Sequence, residues 1–478
     1  MARVITGRTP DKLFGFFEEI SAIPRESYHE EKIADYLVDF AKARGLFVKR
    51  DEANNVFIRK EATPGMEQVA PVLLQAHTDM VCEKNADVVH DFRKDGIELE
   101  VKGDFLMAKG TTLGADDGIG VAIMLAALDG ELPKHPMLEC LFTTSEEVGL
   151  GGVCKFDFSL VQARRLLNLD TEKLGQVIAG SCGGLRTDIT FSCRREEKVK
   201  PTLSLSLSGF AGGHSGENIN EGRANANVCM GQLLCALHTL PGFGIVSIDG
   251  GSKLNAIPRE CRAVIALDDP DDAFDLAEQA IADLAAEFSP IDKDAMLSIE
   301  VGEDAIALTN EDSLHVLALF QQVPNGVLAM SRDKEGLVEW SRNLGVISTK
   351  GDEIHFRYST RSGKEEQLDR SEAGLSKVGQ MLGAKVEHFS RYPGWEYAPQ
   401  SRLREEYLAA YKKVLGREAE VEVIHAGLEC GEIFAGIPGM DIISIGPTMY
   451  DIHSPSERLN LPDTEDFWKT LVAYFEVL

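Results

Sequence analysis

The sequence predicts an α/β protein whose mainly parallel sheet is flanked by helices and whose chain is interrupted by an inserted α+β domain. In the first part, short apolar runs typical of buried strands, at 71–77, 137–145 and 164–170, alternate with helical patterns. Strands separated by helices favour parallel pairing, with helices covering both faces of the sheet. From about residue 186, apolar and polar residues alternate as in half-exposed antiparallel strands. The α/β pattern returns towards the C-terminus, which indicates a first domain in two pieces.

The individual elements follow from the spacing of the apolar residues. A helix over 30–45 is indicated by apolar residues at helical spacing before Gly45, and a second, apolar helix spans 118–130 and ends at Gly130. The insert is expected to contain strands at 202–209 and 353–363 and helices at 221–239 and 271–287. A linker at 391–397, a helix at 402–416, a buried strand at 440–446 and a terminal helix at 463–478 complete the prediction. We therefore divide the chain into 1–185, 186–393 and 394–478.

Composition limits the classes of partner. The chain has 478 residues, with 77 acidic and 49 basic side chains and a net charge of −28. This acidic excess repels nucleic acid and anionic membranes, and no stretch approaches the roughly 20 apolar residues of a membrane helix. The nine cysteines include no CxxC pair, and the N-terminus has no secretory signal pattern. We expect a cytoplasmic protein with reduced thiols, no cysteine-based zinc site, and no nucleic-acid or membrane partner.

Acidic residues and histidines follow the predicted strands, where ligands gather in parallel sheets. His77 and Asp79 come after the first strand and, being two residues apart, can face the same way, so Asp79 can support the imidazole. Taken alone, such a pair at a strand end is more often a structural hydrogen bond than part of a metal site. Asp116 and Asp117 lie between glycines at the start of a helix. Either carboxylate could simply cap that helix.

Glu146 and Glu147 follow the second strand, Asp170 ends the third, and His453 lies near the C-terminus. Two adjacent glutamates are often a solvated turn, but in a hydrolytic site one would bind metal and the other would act as general base. Two histidines and three carboxylates suit two divalent ions about 3.5–4 Å apart. The lack of thiolates favours zinc, manganese or cobalt over copper. Neither HExxH nor GxSxG is present, so thermolysin-type and serine-hydrolase chemistry lack support.

Five ordered motifs, LLQAHTDM, GTTLGADDGIGVA, TTSEEVGLGG, LNLDTE and DIHSPSERL, resemble those of the zinc peptidases of the aminoacylase and carboxypeptidase type. The likeness spans essentially the whole chain and is greatest to the members that cleave aminoacyl-histidine dipeptides. It implies that Asp116 bridges two ions, with a cis peptide bond following it. The remaining ligands would be His77 and Asp170 for one ion and Glu147 and His453 for the other. Glu146 would be the general base for a water that bridges the ions, and Asp79 would orient His77.

The resemblance also gives the insert a role as a lid and dimerisation domain. His214, in the glycine-rich segment 212–216, would stabilise the oxyanion, although a turn with a solvated imidazole is the alternative. Related enzymes can supply this histidine from the opposite subunit, which implies a homodimer. Asn255 and Arg361 match substrate-contacting positions, and a guanidinium suits a free carboxylate, while Gly427 is a candidate backbone contact. His425 lies close to Gly427 but outside the metal set.

The resulting expectation is metal-dependent hydrolysis of unblocked dipeptides with broad specificity, including those with C-terminal histidine such as carnosine (β-alanyl-histidine). Two divalent ions per subunit are expected, with zinc first and manganese or cobalt as alternatives. The same site could instead serve N-acyl amino-acid deacylation or tripeptide trimming. A non-catalytic metal-binding assembly protein is a more distant alternative, because such a protein has no need of a base at Glu146.

Overall fold

The computed structural model describes residues 3–287 and 290–478, which form two compact units. Unit 1 comprises Met1–Ser181, Tyr397–Val423 and Leu428–Leu478, and unit 2 comprises Cys182–Glu396 and Ile424–Gly427. The sequence-based divisions after residues 185 and 393 lie a few residues from these bounds. The short segment Ile424–Gly427 groups with unit 2, which the sequence did not indicate.

Unit 1 is an α/β structure. Its helices are α1 (Asp11–Ser21), α2 (Glu31–Ala43), α3 (Ala115–Ala126), α8 (Arg402–Leu415), α9 (Glu429–Gly436) and α10 (Leu461–Val477). Its strands are β1 (Phe47–Arg50), β2 (Val56–Lys60), β3 (Val72–His77), β4 (Leu99–Lys102), β5 (Phe105–Ala108), β6 (Leu138–Thr143), β7 (Arg165–Asn168), β8 (Gln176–Ser181), β20 (Glu420–Ile424), β21 (Asp441–Ser444), β22 (Met449–Tyr450) and β23 (Arg458–Asn460).

Among the described residues, the main sheet of unit 1 has eight strands in the order β1-β2-β6-β3-β7-β21-β8-β20. The four central strands, β6, β3, β7 and β21, are parallel, whereas β1 and β2 pair antiparallel with each other, β2 with β6, and β8 with β21. The predicted parallel sheet therefore corresponds to the four central strands of the observed eight-stranded sheet. Strands β3 and β6 are buried along their whole length, as their unbroken apolar sequences indicated.

The helices of unit 1 match their sequence patterns. Helix α2 is amphipathic and buries Ile33, Leu37 and Phe40, whereas α3 is buried at every position and is apolar after its first turn, which holds Asp116 and Asp117. The segment Ala127–Glu131 continues α3 as a π-helical turn. The peptide bond between Asp116 and Asp117 is cis, as the resemblance implied.

Unit 2 is the α+β insert. Its helices are α4 (Ala226–Leu237), α5 (Asp271–Glu287), α6 (Asn310–Gln322) and α7 (Glu365–Met381). Its strands are β9 (Gly183–Ser192), β10 (Arg195–Ser208), β11 (Gly213–His214), β12 (Gly244–Gly250), β13 (Ala256–Ile257), β14 (Cys261–Ala266), β15 (Met296–Leu308), β16 (Gly326–Met330), β17 (Val338–Lys350), β18 (Glu353–Ser362) and β19 (Lys385–Tyr392). Eight of these strands form a sheet in the order β15-β10-β14-β12-β17-β18-β9-β19, to which β16 adds beside β17.

The predicted linker at 391–397 is wrong in its first part. Arg391 and Tyr392 end strand β19, and the indole of Trp395 is buried. A Cβ added at Gly394 would lie 2.8 Å from the backbone nitrogen of Gly183, so this segment runs closely against the sheet of unit 2. The Pro-Gly pair that suggested a linker is a close backbone approach instead.

Within the described part of the chain, no helix has both the length and the apolar character that a membrane crossing requires.

Candidate metal centre

The candidate ligands of unit 1 come from one edge of its sheet. Strand β3 ends at His77, β7 ends two residues before Asp170, and Glu147 follows β6. Because these three strands are parallel and adjacent, their carboxyl ends lie together. Asp116 joins them from the start of α3, and His453 from the connection between β22 and β23.

The five side chains form one continuous cluster. Nε2 of His77 lies 3.1 Å from Oδ1 of Asp116 and 3.5 Å from Oδ1 of Asp170. Nε2 of His453 lies 3.0 Å from Oδ2 of Asp116 and 3.0 Å from Oε1 of Glu147. The two oxygens of Asp116 therefore face different histidines, which is the arrangement that a bridging carboxylate requires.

These donors fit two divalent ions. Three sets of side chains bring their ligand atoms within 4.8 Å of one another: His77 with Asp116 and Asp170, Asp116 with Glu147 and His453, and His77 with Glu146 and Glu147. Each set offers one imidazole and two carboxylates, a composition that zinc and related ions accept. Asp116 is common to the first two sets, and the third places Glu146 at the edge of the cluster.

Asp79 lies behind His77 and supports both neighbouring segments. Its Oδ1 is 3.5 Å from Nδ1 of His77 and accepts a hydrogen bond from the backbone N–H of Glu146 at 3.1 Å. Its Oδ2 accepts from Oγ of Ser27 at 2.8 Å and from the N–H of Glu147 at 3.3 Å. Asp79 thus fixes the ring of His77 and the backbone of the glutamate pair together.

Glu146 combines burial with a negatively charged surrounding. Burial raises the pKa of Glu146 well above its usual range; the positive field of His77 opposes this, while the charges of Asp170, Glu429 and Glu147 add to it. A carboxylate with a raised pKa accepts and returns a proton near neutral pH, which a general base in hydrolysis must do.

Asp117, in the first turn of α3, makes a hydrogen bond of the capping kind that the sequence left as an alternative. It is fully buried, and its Oδ1 accepts the backbone N–H of Gly120 at 3.1 Å. Gly114 has φ +68°, which favours glycine, and a Cβ on Gly118 would lie 2.7 Å from Nη2 of Arg25. The glycines beside the aspartate pair therefore allow a buried arginine to approach.

The predicted substrate-binding residues all belong to unit 2. Arg361, on β18, is buried, and its Nη1 donates to the hydroxyl of Tyr392 at 3.3 Å. A Cβ on Gly427 would meet the ring of Tyr392 at 2.7 Å, so these three residues lie together. Burial lowers the pKa of His214, and the charge of Arg361 lowers it further.

Asn255 and His425 lie close to this group. The backbone carbonyl of Asn255 accepts from the N–H of Ser215, while its side chain is exposed. Nε2 of His425 lies 2.6 Å from Oγ of Ser341, and burial, followed by the charges of Arg361 and His214, lowers the pKa of His425 to about 3. His425, outside the predicted set, is therefore a neutral imidazole in a basic surrounding.

Several buried polar side chains of unit 1 were not predicted. Glu30 accepts from both the N–H and the hydroxyl of Ser145, at 2.8 and 2.9 Å, and so holds Ser145 at φ +53°, directly before the glutamate pair. Glu429 accepts at one oxygen from Gln75 at 2.6 Å and from Thr143 at 2.7 Å, beneath the ends of β3 and β6. Its other oxygen has no hydrogen-bond partner in the described ranges.

Some of the buried polar residues around the cluster lie in recognised sequence motifs, whereas others do not. Glu429 lies in the segment HAGLECG, from which Gly427 was selected, and Glu457 lies in DIHSPSERL, from which His453 was selected. Arg25, Ser27 and Glu30 lie in no motif that was recognised. Their importance becomes visible only when the fold brings distant segments together.

Comparison with known proteins agrees with this geometry. The chain matches the model of peptidase family M20/M25/M40 over residues 73–477. It is 37% identical to the cytosol non-specific dipeptidase of Escherichia coli (strain K12) over 470 residues, covering 97% of this chain and 96% of the relative. It is also similar to the crystal structure of aminoacylhistidine dipeptidase from Vibrio alginolyticus, with 38% identity and a TM-score of 0.94 over 99% of this chain and 97% of that one.

A more distant likeness supports the fold alone. Aminopeptidase PepT from Bacillus cereus ATCC 10987 is 16% identical, with a TM-score of 0.57 over 98% of both chains. The predicted α/β fold with an α+β insert, and the resemblance to a peptidase family drawn from five motifs, are confirmed by the family model and the Vibrio alginolyticus structure. The chain belongs to peptidase family M20/M25/M40.

Proposed function

We propose that this protein hydrolyses unblocked dipeptides, including those with C-terminal histidine such as carnosine, using two divalent metal ions. The observation that carries the proposal is the cluster in which Asp116 presents one oxygen to His77 and the other to His453. The names of two relatives of similar sequence, a non-specific dipeptidase and an aminoacylhistidine dipeptidase, support the substrate class.

The ligands would divide between the two ions around Asp116. His77 and Asp170 would hold one ion, and Glu147 and His453 the other. When bound, such ions supply Lewis-acid activation of water and of the scissile carbonyl. Zinc is the first candidate because the donors are imidazoles and carboxylates without thiolates, and manganese or cobalt would also suit them.

The residues of the chain would carry out the proton transfers and bind the substrate. Glu146 takes the proton of the attacking water and delivers it to the leaving amine, while Asp79 keeps the ring of His77 in position. In unit 2, His214 stabilises the negative charge on the carbonyl oxygen and Arg361 binds the free carboxylate. Asn255 and Gly427 would contribute further contacts to the substrate.

The working unit would be a cytoplasmic homodimer joined through unit 2. Strand β15 lies at the edge of the unit 2 sheet and exposes Met296, Val301 and Ile306, the last of which is paired with the exposed Val199 of β10. An edge strand with apolar side chains suits pairing with a second copy. The cytosolic location of the Escherichia coli relative, stated in its name, supports the compartment.

The substrate class is tested with a matched panel. The full-length chain, stripped with a chelator and reloaded separately with zinc, manganese or cobalt, is offered carnosine, alanyl dipeptides, an alanyl tripeptide and N-acetyl amino acids. We expect hydrolysis of the dipeptides, lost on chelation and restored by metal. A higher kcat/KM for the acetylated amino acids or the tripeptide would replace this proposal with one of the two alternatives. Metal binding without hydrolysis would favour an assembly protein.

A further inference from the structure

A single carboxylate holds the backbone that carries Asp116. Oε2 of Glu457 accepts from the N–H groups of Leu113 at 2.7 Å and Gly114 at 3.0 Å. Oε1 accepts from Ala115 at 2.8 Å and from Asp116 itself at 3.4 Å. Four consecutive N–H groups thus converge on one buried side chain, and hydrogen bonds to a charged acceptor are the stronger kind.

Arg25 holds the same segment from its carbonyl side. Its Nη2 donates to the carbonyl of Gly114 at 2.5 Å, and its Nη1 donates to those of Thr78 at 3.0 Å and Asp79 at 3.2 Å. The last two residues directly follow His77. Arg25 is buried, so one guanidinium joins the segment that carries Asp116 to the strand end that carries His77.

Glu457 also belongs to the segment that carries His453. Its own N–H donates to the carbonyl of Ser454 at 3.0 Å, which closes a turn directly after the histidine. The carboxylate therefore ties this turn to the segment of Asp116. Together, Arg25 and Glu457 connect the backbones of three candidate ligands that lie far apart in the sequence.

We propose that Glu457 and Arg25 are positioning residues that set the place of Asp116 between the two metal ions. The proposal rests on the proposed function, because it assumes that Asp116 bridges. Neither residue needs to contact an ion; each acts through the backbone of a ligand. Asp116 takes part in two of the three ligand sets, so moving it weakens the binding of both ions. Loss of a ligand at one end of the cluster weakens only one.

Glu457→Gln is the sharpest test of this idea. The amide keeps the size of the side chain but turns one acceptor oxygen into an NH2 donor, which then faces two backbone N–H groups. Metal-free full-length protein is titrated with Zn²⁺ by calorimetry and with Co²⁺ by visible absorption. We expect both binding events to weaken by about 10- to 100-fold and the Co²⁺ spectrum to change, as for other residues that orient metal ligands.

Glu139→Gln is the matched control. Glu139 is also a fully buried glutamate of unit 1, and it accepts the backbone N–H groups of Gln162 and Ala163, each at 2.9 Å. None of its partners is a candidate ligand. We expect this variant to lose thermal stability, as Glu457→Gln does, while its two Zn²⁺ affinities and its Co²⁺ spectrum match those of the unchanged chain.

The outcomes separate this proposal from the proposed function. If the unchanged chain does not bind two ions, the proposed two-metal function fails first. If it does, the positioning role is overturned when Glu457→Gln keeps both affinities, weakens only one, or weakens them no more than Glu139→Gln. Should Glu457→Gln not fold, Arg25→Lys decides, since it keeps the charge but not the fork that reaches three carbonyls. If Arg25→Lys binds both ions more weakly than the unchanged chain, the proposal is supported; if both affinities are unchanged, it is overturned.

Discussion

The polar clusters of the two units differ in the sign of their charge. In unit 1, carboxylates outnumber imidazoles, and Asp116 lies within 3.1 Å of both His77 and His453. The cluster of unit 2 is centred on the positively charged guanidinium of Arg361. Burial lowers the pKa of His214, and the charge of Arg361 lowers it further. An acidic cluster suits cations and a basic cluster suits an anion. The proposed function would use the first for metal ions and the second for the free carboxylate of the substrate.

The clusters also differ in how well the sequence predicted them. The candidate ligands His77, Glu147 and Asp170 of unit 1 follow parallel strands, so the rule that such strand ends meet was enough to group them. No such rule relates Arg361 to His214, which lie on strands of different length and surroundings. Those residues came from the family resemblance, and their roles stay predictions.

The largest effect is expected from Glu146→Gln, which tests the chemistry of unit 1. Replacing the proposed base with an amide should lower kcat by about 10²- to 10⁴-fold, because the attacking water then has no proton acceptor. The metal content should remain two ions per chain, since the proposed ligand sets around Asp116 do not include Glu146. Steady-state kinetics with a dipeptide and metal analysis of the same preparation measure both quantities.

The control for this prediction is again Glu139→Gln, a buried amide replacement away from the cluster. The Glu139→Gln variant should have the same kcat as the unchanged chain. Because Glu146 also lies in a third set with His77 and Glu147, a joint loss of metal and activity in Glu146→Gln would make it a ligand and remove it as the base.

What the sequence missed in unit 1 shares one physical cause. Glu429, Arg25 and Glu30 act through hydrogen bonds to segments more than 50 residues away in the chain. A pattern of neighbouring residues carries no information about such partners. The same limit explains the linker error, since Gly394 looks like a turn until Gly183 is placed beside it.

A smaller effect is expected in unit 2, from Arg361→Gln. Losing a charge-assisted hydrogen bond of about 1.5–3 kcal/mol to the substrate carboxylate should lower kcat/KM for dipeptides by about 10- to 100-fold. The loss should vanish for dipeptide amides, which have no carboxylate for Arg361 to bind. Steady-state kinetics of the dipeptide and of its amide, each with the unchanged chain and with Arg361→Gln, measure the coupling energy between Arg361 and the substrate carboxylate.

Arg357→Gln serves as the matched control for Arg361, because it lies on the same strand, pairs with Asp188 at 3.0 Å and is far more exposed. It should leave both substrates unaffected. An equal loss for the amide and the free dipeptide in Arg361→Gln would show that Arg361 supports the fold of unit 2 and does not bind the carboxylate.

The smallest effects concern stability against pH, for which the two units should respond with opposite sign. Burial raises the pKa of Glu429 to about 8, so between about pH 5 and 8 the folded chain holds a proton that the unfolded chain has lost. Its contribution to stability therefore falls as pH rises. Burial and Arg361 lower the pKa of His425 to about 3, so below about pH 6.5 the unfolded chain holds the extra proton, and stability rises with pH.

Each group contributes a slope of at most about 1.4 kcal/mol per pH unit to the dependence of the free energy of unfolding on pH. Replacing Glu429 or His425 should remove that contribution. In metal-free protein, Glu429→Gln should gain stability relative to the unchanged chain as the pH rises from about 5 to 8. His425→Gln should gain relative stability as the pH falls from about 6.5 to 5. Urea unfolding across this range measures the differences. Slopes of the same sign in both variants would contradict the contrast, because one acid held neutral and one base held neutral must respond to pH in opposite directions.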